Sequence, residues 1–189
     1  MSSNPENSYI KKIDTENLPS EKVNESIARS AEKIVIDCLN ENLKSMGIGV
    51  RPATPSEDSG IKNEGGKQID AVLNVGGKAT MCMQITTARD PDVQRKKLIQ
   101  LKENPFVRLE KMDQQETPIP KVIININQEE VTSFLNDPYF SHHPKIWAKI
   151  KNDITNSLLY VLNITKNEKE KAKARELLTL LADNTSTFH

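Results

Sequence analysis

The chain is poor in aromatic residues, at 4%, and has seven glycines and two cysteines in 189 residues. With so few rings, the interior has to be built from Ile, Leu, Val, Met and Ala. Cys38 and Cys82 lie far apart with no CxxC pair or metal-finger spacing, which excludes a disulfide framework or zinc module and leaves two reduced thiols. Neither sign of charge is in excess, since 26 basic and 26 acidic side chains cancel. Without a global field, such a protein reaches nucleic acid only through a local patch. No apolar run approaches the roughly 18 residues that span a bilayer, and the amino terminus carries no apolar targeting segment. The expected location is therefore the cytoplasm, with no membrane partner.

The length suits one domain with a single core. Residues 1–18 are rich in Ser, Asn, Glu and Lys and read as a flexible leader; 19–130 read as an α/β core and 131–189 as a C-terminal helical extension. From Ser20, Val23, Ile27, Ala31, Ile34, Val35, Cys38, Leu39, Leu43 and Met46 recur at helical spacing until Gly47. A short strand is expected around Val50, followed by an exposed loop to Lys67. Two β-prone runs from Gln68 to Thr87 flank Gly76-Gly77 and predict a hairpin. Asp90 then caps a helix whose first residue is Pro91 and which runs to about Glu103. Lys121 to Asn127 reads as a buried strand. Helices follow at Glu129 to Asn136, at Pro144 to about Leu162, and from Asn167, paired with Glu170 as a capping box, to about Ala182. The last helices are expected to cover a sheet face or a partner, either another protein or a second copy of the chain.

The chemistry-bearing residues gather in the hairpin. Asp70 sits in its first strand and Gln84-Ile85-Thr86 near the end of the second. Side chains alternate along a strand, so Gln84 and Thr86 share a face with Cys82. Carboxylate and carbonyl oxygens converging on a hard cation, with a group nearby to orient water, are what a metal-assisted phosphodiesterase needs.

This order of residues resembles the PD-(D/E)XK nuclease superfamily, whose fold is called restriction-endonuclease-like, over roughly Ser20 to Asn127. The resemblance implies a mixed sheet flanked by helices, an action on DNA with RNA left open, and Mg2+ as cofactor. It implies that Asp70, Gln84 and the helical acid Glu32 hold the metal. Gln84-Ile85-Thr86 occupies the (D/E)-x-K triplet, with Thr86 where the family carries lysine. A threonine hydroxyl neither neutralises developing charge nor positions water as an ammonium does. Lys97 on the following helix is the expected substitute, with Lys96 next to it. Arg89, Arg95, Lys96, Lys97 and Lys102 are candidate phosphate contacts, although a charged helix face is more often a solvated one, and Asp90, Asp92 and Glu103 dilute this one. The alternative function is a catalytically silent module of the same fold that binds nucleic acid or protein.

The hairpin register decides whether the site exists. With a two-residue turn at Gly76-Gly77, Asp70 falls opposite Met83 and projects away from Gln84. A three-residue loop, or an irregularity near Asp70, brings Asp70 opposite Gln84. Read alone, Glu32 is a solvated helix residue, and His142-His143 are capping and surface residues without ligand spacing. Trp147 reads as a core anchor, and Met81-Cys82-Met83 as strand packing.

Overall fold

The computed structural model describes residues 20–58, 69–109, 112, 116–136 and 144–183. The leader, most of the exposed loop, Gln68 and the His142-His143 pair lie outside the described residues. Helix α1 (Ser20–Leu43) is followed by a 3-10 turn (Lys44–Met46), strand β1 (Ile48–Pro52) and one helical turn, α2 (Pro55–Asp58). The hairpin is β2 (Ala71–Val75) and β3 (Lys78–Thr86), and α3 (Pro91–Glu103) leads to β4 (Phe106–Val107) and β5 (Ile119–Asn125). Three helices close the chain: α4 (Gln128–Leu135), α5 (Pro144–Ile164) and α6 (Glu168–Asp183).

The strands form one mixed α/β sheet in the order β1-β2-β3-β5-β4. β1, β2 and β3 are an antiparallel meander, whereas β5 runs parallel to β3 and is reached through α3. One face carries Ala71, Leu73, Met81, Met83, Val122 and Ile124 against the apolar stripes of α1 and α5. The other face carries Val72 and Cys82, with Ile69, Val107 and Ile119. α5 and α6 belong to the larger cluster, where Ile150, Ile154, Leu158, Leu177 and Leu181 are buried.

Side chains pair part of the exposed backbone on β1 and on β5. On β1, Asn40 of α1 accepts from the Val50 N–H at 2.7 Å and donates to its carbonyl at 2.9 Å. On β5, the stretch beyond β4 is covered by α5. Ser157 Oγ accepts from Ile123 N at 3.1 Å and donates to Ile123 O at 3.2 Å, and Asp153 Oδ2 accepts from Asn125 N at 3.0 Å. An open row of strand N–H and C=O groups is thereby paired locally.

Helix starts follow the expected chemistry with one exchange. Asp90 caps α3 by accepting from Asp92 N at 2.8 Å, with Pro91 at the first position. The expected box at Asn167 is partial, because Asn167 Oδ1 takes the Lys169 N–H while Glu170 accepts the Thr165 hydroxyl at 2.7 Å. A complete capping box forms instead at α4, between Asn127 and Glu130.

Candidate functional site

Gly76 and Gly77, at φ 56° and 79°, make a two-residue turn whose two left-handed residues match the twist of the flanking strands. Val75 pairs with Lys78 and Asn74 with Ala79, but the next pair is Leu73 with Met81. Thr80 is the extra residue of a bulge, and its hydroxyl donates to Lys78 O at 3.0 Å. The bulge offsets the register by one, so Ala71 rather than Asp70 pairs with Met83, the residue just before Gln84. An irregularity is therefore present within β3 rather than in the turn.

Asp70 lies just before β2, where the chain leaves the regular ladder. Ile69 packs in the same cluster as Val72, which uninterrupted alternation would forbid. The Asp70 N–H donates to Met83 O at 2.9 Å, and its Oδ2 accepts from Ile85 N at 2.6 Å. The carboxylate thus extends the ladder past the end of β2 and is fixed beside Gln84, which is buried at 2% exposure.

Lys97 is delivered from above. Val93, Gln94, Lys97, Gln100 and Leu101 form the inward side of α3, with Leu101 fully buried. Arg95, Lys96, Leu98, Ile99 and Lys102 face outward. Burial lowers the pKa of the half-buried Lys97 ammonium, while the Asp70 charge acts to raise it. Arg89 is engaged by Glu129 at 2.7 Å. Thr86 is buried, and its Oγ1 accepts from Ala88 N at 3.3 Å. Glu32 rides on α1, whose buried stripe packs on the opposite face from Gln84.

Sequence reasoning missed Lys121. It is the first residue of the β-branched run and pairs with Cys82 in the parallel register, on the face of Gln84. It is 2% exposed. Burial, together with the nearby Lys97 charge, pushes its pKa down to about 8, against the opposing pull of Asp70. The alternation of Lys121, Ile123 and Asn125 against Val122, Ile124 and Ile126 is the signal that could have found it, because a cation on the polar side of a buried strand needs a reason to be there.

The Asp70 charge thus acts on both Lys97 and Lys121, and Lys121 shares a sheet face with Gln84. The buried oxygens Asn125 Oδ1 and Gln100 Oε1 accept no hydrogen bond among the described residues. Mg2+ takes oxygen ligands and often relies on one or two protein groups plus water and phosphate oxygens. A carboxylate and amide oxygens are donors of that type. The described residues contain no group of three His, Cys, Asp or Glu able to hold a metal by themselves. None of the described helices is long and apolar enough to cross a membrane. No family model, curated protein or solved structure matches the chain.

Proposed function

We propose that this chain is a restriction-endonuclease-like protein acting on the phosphodiester backbone of DNA at the face carrying Asp70, Gln84, Lys97 and Lys121. The observation that carries this reading is the Asp70 carboxylate held by the Ile85 N–H, one residue along β3 from Gln84, with a lysine turned inward from α3. The element order α1, β1, β2, β3, α3, β5, with an antiparallel meander and a parallel fourth partner, supports the same reading. In it, Lys97 draws in a phosphate, Asp70 is oriented by the Ile85 N–H, and the closely packed face limits water. Asp70 and the Gln84 oxygen would hold Mg2+, which when bound supplies Lewis-acid polarisation of the phosphate. Arg95, Lys96 and Lys102 on the outer side of α3 are proposed to grip neighbouring phosphates.

The test is cleavage of supercoiled and branched DNA with Mg2+ or Mn2+. Wild-type protein is expected to cut, and Asp70→Ala to lose roughly two to three decades of rate. Equal cleavage by the two proteins would remove the site.

The second reading, a silent nucleic-acid-binding module, is favoured by Thr86, whose hydroxyl is tied to the Ala88 N–H and brings no cation to the triplet. It expects DNA binding that is indifferent to divalent metal and to Asp70→Ala, with no cleavage by wild type.

A further inference from the structure

Two lysines meet one carboxylate on this face, and their surroundings differ. Lys121 sits in the sheet layer, its backbone fixed by donation to Pro105 O at 2.9 Å, and it is almost entirely covered. Lys97 sits on the helix above and is only half-buried. The Asp70 charge acts on both ammonium groups, and Lys97 and Lys121 repel one another. An incoming phosphate meets the more accessible cation first. The covered one lacks the exposure to make that contact, yet its charge interacts with that of Asp70.

We propose that the two lysines have separate tasks in the chemistry proposed above, on which this inference rests: Lys97 contacts the phosphate of the nucleic acid, and Lys121 is a positioning residue that fixes the Asp70 carboxylate from within the sheet. Asp70 is then held from two sides, by the Ile85 N–H in the plane of the ladder and by Lys121 from β5. Support of this kind keeps a reacting carboxylate in one rotamer, and its loss degrades the chemical step more than binding. The division also accounts for a threonine in the triplet, since the positioning cation arrives from the neighbouring parallel strand, beside Cys82.

The experiment uses the full chain and a fluorescent branched DNA, with kcat and KM measured in Mn2+ and the salt dependence of binding measured in Ca2+. Lys97→Met is expected to raise KM by about tenfold and to flatten the salt dependence by about one counterion. Lys121→Met is expected to keep KM within about twofold of wild type while kcat falls by about tenfold or more, and Lys121→Arg to regain part of the loss. Thermal unfolding identifies whether Lys121→Met is folded, and Lys121→Arg, which keeps the charge, carries the test if it is not. A variant without the Lys121 ammonium that turns over at the wild-type rate overturns the inference while leaving the DNA reading intact. Equal KM losses from both lysines overturn the division of tasks. Wild type that neither binds nor cuts DNA removes the reading and this inference together.

Discussion

At the scale of single residues, the site's charges leave a signature in stability. The folded-state pKa of Lys121 is about 8, against an ordinary lysine value of 10.5, so between those pH values the unfolded chain binds more protons than the native one. Stability therefore rises with pH across that window, relieving a burial penalty on the order of 3 kcal/mol that is fully present below pH 8. Urea unfolding at pH 7 and pH 10 is expected to show this gain in wild type and a smaller one in Lys121→Met. Glu57 has the opposite sign. Its bidentate pair with Arg51, at 2.7 Å on each arm, and its acceptance of the Thr54 N–H hold its pKa at about 2. The stabilisation is complete above pH 4.5 and is lost as pH falls toward 2, and Glu57→Gln should remove roughly 1–3 kcal/mol at neutral pH along with that acid dependence.

Secondary elements show where local sequence is sufficient and where it is not. α1, the Gly76-Gly77 turn and the Asp90 cap of α3 could all be read from spacing and turn chemistry, because each is decided by residues within one or two turns. The Thr80 bulge could not be read, since a β-branched residue suits a regular strand equally well and the offset depends on what the two faces pack against. Lys121 was hidden for a related reason, as a cation opening an apolar run reads as the solvated end of a strand until the parallel pairing with β3 places it inside. Deleting Thr80 returns β3 to an uninterrupted ladder and moves either Gln84 or the hairpin closure to the wrong side. Such a variant is expected to lose DNA cleavage in the plasmid assay even where circular dichroism shows that the sheet survives.

On the scale of the whole molecule, the last third of the chain is structural as well as additional. Ile146, Trp147, Ile150, Ile154 and Leu158 of α5 are buried in the same cluster as α1 and the sheet, and α6 adds Ala174, Leu177 and Leu181. Trp147→Ala is expected to destabilise by about 3–5 kcal/mol in denaturant titration. A chain ending at residue 136 should lack cooperative unfolding in the same measurement, since it leaves the β5 rim and one side of the core uncovered.

The amide of Asn40 and the paired Ser157 and Asp153 have a further consequence at high protein concentration. A neighbouring molecule seeking to lengthen the sheet finds the terminal hydrogen-bonding positions at Val50 and at Ile123 to Asn125 already taken by the chain's own side chains. Growth into fibrils is therefore disfavoured at these positions, and Asn40→Ala would reopen the one at Val50.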